Sequence, residues 1–226
     1  MRYPGLLEEL GDKYQPTKRA HDYLRHYWTH LRDKRLDVKT VVEIGVESDC
    51  SVRMWEEFFP NAVIHGVDIA PECKAFERGR VKIHIGDQGN REFLASVIEK
   101  VGGPVDLIID DGSHKVEHQI STLNWLFPHL SDHGTYVIED TGGLVGDEGL
   151  AVVNSLKQVI DHIYYWPKGL HGSEWSSLWT LPEGADWLSR NISGMAFYRW
   201  IVFLFRGRNP EDNPYLYRPS GPTGQG

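Results

Sequence analysis

The sequence predicts an α/β fold, a mostly parallel sheet of seven strands flanked by helices, with an antiparallel strand pair at its C-terminal end. Three observations carry this. Short apolar, β-branched runs alternate with segments of helical periodicity, the pattern of βαβ crossovers. Several of these runs stop in acids or glycine, which places polar residues at the C-terminal ends of parallel strands, where open α/β sheets bind ligands. A length of 226 residues with 40% hydrophobic content supports one large core, so residues 1–226 read as a single domain.

The elements follow in order. Residues 1–16 read as irregular, broken by Pro4, Gly5, Gly11 and Pro16. From Thr17, a candidate N-cap, Ala20, Leu24, Tyr27 or Trp28 and Leu31 recur at helical spacing, so residues 1–36 form an N-terminal helical extension. On it, His21, His26 and His30 are read as solvent-facing or packing residues. Strands are expected at Thr40–Val46, Val63–Ile69, Val81–Asp87, Val105–Asp110 and Gly134–Asp140, with helices at Ser51–Phe59, Arg91–Val101, Val116–Phe127 and Leu150–Ile163. Val116, Ile120, Leu123 and Phe127 mark one face of the third of these helices. Met195–Phe205 is long enough for two strands with a turn near Arg199. Residues 141–193, with Gly142, Gly143, Gly146 and Gly149 at the entry and a Trp-rich stretch Trp166–Trp187, read as a lid or substrate insert. Residues 209–226, rich in Pro and Gly, read as a flexible tail, and Arg206 and Arg208 as the solvated end of the last strand.

Lys plus Arg total 24 against 32 Asp plus Glu, a formal charge of -8, which argues against a nucleic-acid surface. No run approaches a membrane span and the N-terminus lacks a signal-peptide core, so a cytoplasmic protein is expected. Cys50 and Cys73 then read as reduced thiols.

The chemistry gathers at strand ends. Glu43-Ile-Gly45 closes the first strand, Asp68 the second, and Asp87 with Gln88 the third. A carboxylate at the second position can take both ribose hydroxyls, and Asp87 with Gln88 can read an adenine edge, so the three ends form a trough the size of a nucleoside. Acids capping the following helices are the plainer alternative. The turn Gly45-Val-Glu-Ser-Asp-Cys-Ser51 lacks the further glycines of a dinucleotide site, and Glu47 and Asp49 would repel a pyrophosphate. A cationic sulfonium cofactor suits this charge better. The fourth strand ends in Asp110-Asp111-Gly-Ser-His114 and the fifth in Glu139-Asp140, which brings four carboxylates and an imidazole to one rim. Such a cluster repels itself unless a cation joins it or a pKa rises.

These segments, Val-Val-Glu-Ile-Gly-Val, Gly-Val-Asp-Ile, Gly-Asp-Gln, Ile-Ile-Asp-Asp-Gly-Ser-His and Tyr-Val-Ile-Glu-Asp-Thr, resemble the Rossmann-like class I S-adenosylmethionine-dependent methyltransferases. More narrowly, they resemble the magnesium-dependent O-methyltransferases of macrolide glycosides and mannosides, with cephalosporin-hydroxylase-like proteins as relatives. The resemblance covers roughly residues 10–206 and departs from the family pattern at Asp49 and Cys50, where glycines are usual. It implies S-adenosyl-L-methionine and Mg2+ as cofactors, Asp111, Glu139 and Asp140 as metal ligands, and His114 as general base. It implies Glu43, Gly45, Asp68, Asp87, Gln88 and Asp110 on the cofactor side, although Asp110 can equally cap or orient its neighbours. A carbohydrate or glycoside substrate and a homo-oligomer, dimer or higher, complete what it implies.

The chemistry agrees, because a sugar hydroxyl is a poor nucleophile until a base takes its proton and a hard cation stabilises the developing alkoxide. A phenol or catechol acceptor would use the same groups. Two readings from other classes compete: His114-Lys-Val-Glu-His118 spells an inverted zinc-peptidase signature, and a subunit that binds cofactor without turnover needs only the trough. Trp166, Trp175, Trp179 and Trp187 can stack on a sugar, with His171 near its hydroxyls, or can pack in a core.

Overall fold

The structure, a computed structural model, describes residues 5–141, 150–163 and 191–207. Helices α1 (Leu6–Tyr14), α2 (Thr17–Ala20) and α3 (Leu24–Leu31) precede β1 (Thr40–Ile44). Then come α4 (Cys50–Phe58), β2 (Val63–Asp68), β3 (Val81–Ile85), α5 (Arg91–Val101), β4 (Val105–Asp110), α6 (Val116–Leu126) and β5 (Leu130–Ile138). Helix α7 (Ala151–Ile163) and the hairpin β6 (Ile192–Tyr198) and β7 (Ile201–Arg206) close the described chain. The sheet has seven strands in the order β3-β2-β1-β4-β5-β7-β6. The first five are parallel, and β7 runs antiparallel between β5 and β6. The order reverses between β1 and β4, and a cleft opens there, outside the strand ends.

Strand residues alternate between two cores, as a period of two requires. Val41, Leu107, Ile109, Val137, Ile201 and Phe203 face α1, α3 and α4, which add Leu7, Leu10, Tyr27, Leu31, Trp55 and Phe58. Val42, Ile44, Ile108, Tyr136, Ile138 and Leu204 face α5, α6 and α7. With both faces covered, the strands lose the polar-apolar alternation of a half-exposed sheet, and this made them readable as apolar runs.

Several boundaries differ from expectation. Residues 6–14 are helical despite Gly11; a Cβ there would stand 2.3 Å from Leu24 Cδ1, so the glycine lies where α3 packs onto α1. The helix expected from Thr17 is two helices, separated by a turn in which Asp22 has φ 62°, and Pro16, not Thr17, is the capping residue of α2. Strand β5 begins at Leu130, four residues before the expected Gly134, with a register shift against β4 at Val105–Leu107. The buried residues of α6 are Gln119, Thr122, Leu123 and Leu126, with Val116 and Ile120 only half-buried. Arg206 is not merely solvated: its Nη1 donates to the carbonyl oxygens of Pro128 (3.0 Å) and Leu130. His26 stacks on Tyr198 with centroids 3.7 Å apart, and His30 hydrogen-bonds its hydroxyl at 2.9 Å, so both pack. Cys50 and Cys73 are free thiols. Among the described residues no helix is long and apolar enough to cross a membrane. The glycine-rich entry at 142–149, Trp166, His171, Trp175, Trp179, Trp187, Arg208 and the tail 209–226 lie outside the described residues.

Candidate active site

The cleft has a volume of about 470 Å³, and its walls are the loops that follow β1, β2, β3, β4 and β5 together with α2. Gly45 begins the first loop with φ +89°, and a Cβ on it would lie 1.9 Å from the carbonyl oxygen of Asp111. The neighbouring strand end therefore requires a glycine here, and Asp111 N donates to Ile44 O at 2.9 Å, which ties the end of β1 to the end of β4. Glu47, His114 and Asp140, which all line the cleft, are non-glycine residues in the left-handed region, with φ 48°, 55° and 51°. Such backbone persists only where surrounding contacts enforce it, and it concentrates at functional sites.

The acids divide into an inner and an outer group. Lys18, 1% exposed, extends from α2 and places its Nζ 3.1 Å from Glu43 Oε1, 2.5 Å from Asp111 Oδ2 and 3.0 Å from Glu139 Oε1. Burial disfavours the ammonium, but the three carboxylates outweigh it and hold its pKa well above the ordinary lysine value. Glu43 also accepts hydrogen bonds from Ser51 Oγ (2.8 Å) and Trp55 Nε1 (3.1 Å). It is wholly buried and does not line the cleft, so the structure does not bring it to the cofactor trough. Glu139 accepts from the Tyr27 hydroxyl; its burial, followed by the charge of Asp111, pushes its pKa up to about 8 against Lys18 and Tyr27.

Asp111 also belongs to the outer group. One donor atom each from Asp111, His114 and Asp140 lie within 4.8 Å of one another, facing the cleft. β5 has ended before Glu139, and with Asp140 at φ 51° the two neighbouring acids diverge, Glu139 inward to Lys18 and Asp140 outward. Tyr23 donates its hydroxyl hydrogen bond to Asp140 Oδ1, His21 Nδ1 lies 3.5 Å from the same oxygen, and His114 Nε2 lies 3.7 Å from Asp140 Oδ2. Among the described residues His114 Nδ1 is buried without a hydrogen-bond partner. Two carboxylates and an imidazole with an unused nitrogen fit a divalent cation by donor type.

On the cofactor side, Asp68 lines the cleft. Its carboxylate accepts from the backbone N–H groups of Val46 (2.8 Å), Glu47 (2.9 Å) and Ala70 (2.8 Å). Partial burial raises its pKa, but the backbone donors outweigh this and the net direction is down, so it stays ionised. Asp87 lines the cleft exposed and accepts from Gly89 N at 2.8 Å. Gln88 lines the cleft although largely buried, with Nε2 donating to Asp110 Oδ1 (3.1 Å) and Oε1 accepting from Ser113 N (2.6 Å). Asp110 is fully buried behind the cleft, and burial pushes its pKa up to about 6 against the Gln88 and Gly112 donors. The Tyr136 hydroxyl lies 3.5 Å from its other carboxyl oxygen. Asp49 turns to Arg53 (3.4 Å), while Cys50 lines the cleft.

The zinc-peptidase reading fails on geometry. Helix α6 begins at Val116, so His114 precedes it with φ 55°, and His118 pairs through Nδ1 with Ser113 Oγ at 2.9 Å. The two histidines do not share a helical face. Lys18, His21, Tyr23 and Tyr27 all contact the site's acids, and none of them carries a site signal in the sequence. The need for a counter-cation was legible, but no local pattern distinguishes Lys18 from the other basic residues.

Comparison with known proteins agrees with this architecture. No family model matches the chain. It is 34% identical over 225 residues to mycinamicin VI 2''-O-methyltransferase of Micromonospora griseorubida, covering 91% of this chain and 53% of that protein. It is 32% identical over 216 residues to L-olivosyl-oleandolide 3-O-methyltransferase of Streptomyces antibioticus, covering 85% and 52%. A solved structure of the MycE methyltransferase of the mycinamycin biosynthetic pathway, in complex with Mg, SAH and mycinamycin VI, superposes with a TM-score of 0.76 at 32% identity, covering 94% of this chain and 56% of that one. The fold is thus that of the Rossmann-like class I methyltransferases. Within that class the relatives of this chain are O-methyltransferases of sugars on macrolides and related glycosides, and the chain spans about half the length of each relative named here.

Proposed function

We propose that this chain is an O-methyltransferase that uses S-adenosyl-L-methionine and a divalent cation, Mg2+, to methylate a hydroxyl of a sugar on a glycosylated natural product or an oligosaccharide. The observation that carries this reading is the placement of Asp111, His114 and Asp140 on the wall of the same cleft that Gly45 and Asp68 line. The likeness to glycoside O-methyltransferases supports it.

Bound S-adenosyl-L-methionine supplies an electrophilic methyl group, and the cation stabilises negative charge on the acceptor oxygen. Asp111 and Asp140 would hold the ion with hard oxygen donors. Glu139, the third acid of the set implied by the sequence, joins them only by giving up its bond to Lys18. His114 takes the proton of the acceptor hydroxyl as that oxygen attacks. The left-handed backbone and the neighbouring Asp140 fix its ring at the cleft. Asp68 and Asp87 bind the nucleoside from the far side, while Gly45 and Cys50 border its path. Oxygen, methyl and sulfur must be held in line, and a cleft assembled from five strand ends provides that alignment. A cytoplasmic homo-oligomer completes the proposal, its assembly to be measured by sedimentation.

The test is mass spectrometry of a panel of macrolide glycosides and mannosides incubated with the chain, S-adenosyl-L-methionine and Mg2+. One added methyl group on a sugar, abolished by excess EDTA, is expected. Full activity in EDTA removes the metal from the proposal, and no methylation across the panel removes the substrate class.

A further inference from the structure

Helix α2 has four residues, and Lys18 is the only one of them that is buried. Thr17 and Arg19 on either side are exposed, and Pro16, Thr17 and His21 form one wall of the cleft. A short helix normally docks through an apolar side chain; this one docks through an ammonium group. The ammonium meets carboxylates from three different strand ends, Glu43 on β1, Asp111 after β4 and Glu139 after β5, which are neighbours in the sheet. Two of those acids, Glu43 and Glu139, have no access to solvent that would otherwise screen them. A buried carboxylate without a partner is strongly unfavourable, and two beside a third are more so.

We propose that Lys18 is a resident cation of this acid cluster, one whose charge a divalent ion can replace. Its ammonium holds the inner acids together and aims Asp111 at the cleft before any metal arrives, so the fold does not draw its stability from the metal. It also fixes α2 as a cleft wall, so the same contact positions Thr17 and His21. Lys18 is a positioning residue, acting on the reaction through Asp111. The inference rests on the proposed function for the divalent-ion site beside Asp111 and for the identity of the ion.

The variant is Lys18→Met, which keeps the stem and removes the charge. Thermal unfolding and backbone hydrogen exchange are measured for wild type and variant, each in EDTA and in Mg2+, at matched ionic strength and without substrate. Wild type is expected to gain in Mg2+ only the few degrees that binding of an ion to the folded state confers, well short of the loss in the variant. K18M is expected to lose on the order of 10 °C in EDTA, the shift for a broken buried ion pair in a chain of this size. Its residues 17–23 should exchange faster, and Mg2+ should restore a large part of both losses. A merely structural lysine would not make stability respond specifically to a divalent ion. The proposal is overturned if K18M unfolds like wild type in EDTA, if Mg2+ restores nothing, or if wild type itself loses as much on metal removal. Should K18M fail to fold in EDTA, refolding in Mg2+ decides: recovery that Na+ at equal ionic strength does not give supports the proposal, and failure in both overturns it. Calorimetry of Mn2+ with wild type separates the two ideas, since absence of binding removes the metal from the proposed function.

Discussion

Gly45→Ala tests most directly the claim that the backbone of one strand end sets the chemistry of the next. The added Cβ would lie 1.9 Å from the Asp111 carbonyl oxygen, 2.5 Å from its carbon and 2.9 Å from Gly112 Cα. Carbon contacts ordinarily lie at about 3.5 Å or more, so the Asp111–Gly112 backbone must retreat by more than ~1 Å. Nothing flexible is available to move instead, because every clashing atom is main chain, and the Asp111 N–H is tied to Ile44 O at 2.9 Å. Overpacking of this kind costs about 1–3 kcal/mol, and holding alanine at a left-handed φ adds about 1–2 kcal/mol, so the stability loss should be about 2–5 kcal/mol. The same retreat carries Asp111 away from His114 and Asp140, and a misplacement near 1 Å lowers a rate on the order of 100-fold. Urea unfolding followed by tryptophan fluorescence reads the first effect, and methyl transfer to a glycoside acceptor reads the second. A G45A protein less than about 1 kcal/mol below wild type in stability, with full activity, would refute the argument.

His114→Ala should lower turnover by about 10²- to 10⁴-fold, the usual worth of a general base, while calorimetric binding of S-adenosyl-L-methionine stays unchanged. Loss of cofactor binding would instead make His114 a structural residue. Trp55→Phe removes the 3.1 Å hydrogen bond to buried Glu43 and should cost about 1–3 kcal/mol in unfolding; a neutral result would mean that Lys18 and Ser51 satisfy Glu43 alone. Burial, with Arg25 beside His26 and His65 beside His84, pushes the pKa of His26 and of His84 down to about 4. Between pH 6.5 and 4 these two histidines therefore bind more protons in the unfolded chain than in the folded one, so their contribution to stability is whole above pH 6.5 and falls as pH drops through that window, while the raised carboxyl of Asp110 acts in the opposite direction. Each part-exposed histidine should account for about 1–2 kcal/mol of that fall. The double variant His26→Gln, His84→Gln should flatten this limb in pH-dependent urea titrations, and an unchanged limb would assign the acid sensitivity to other groups.

Sequence by itself determined the architecture and the acids, glycine and imidazole at the strand ends. Apolar runs such as Val105–Ile109 are covered on both faces of the sheet, so burial was written into composition, and the alternation with helices implied parallel strands. The acids, Gly45 and His114 were legible because strand ends collect polar residues irrespective of what the helices do. Tertiary structure alone decided how those residues are used. Adjacent acids can converge on one ion only past a strand end, and β5 does end before Glu139 and Asp140, yet Lys18 draws Glu139 inward and the left-handed backbone of Asp140 turns it to the cleft. Gln88 and Asp110 turn to each other, and Glu43 turns to Lys18, 25 positions earlier in the chain. A side chain's partner is set by which elements pack together, and α2 reaches three strand ends only after the sheet has formed. No local pattern in the sequence records that contact, and the choice among the acids depends on it.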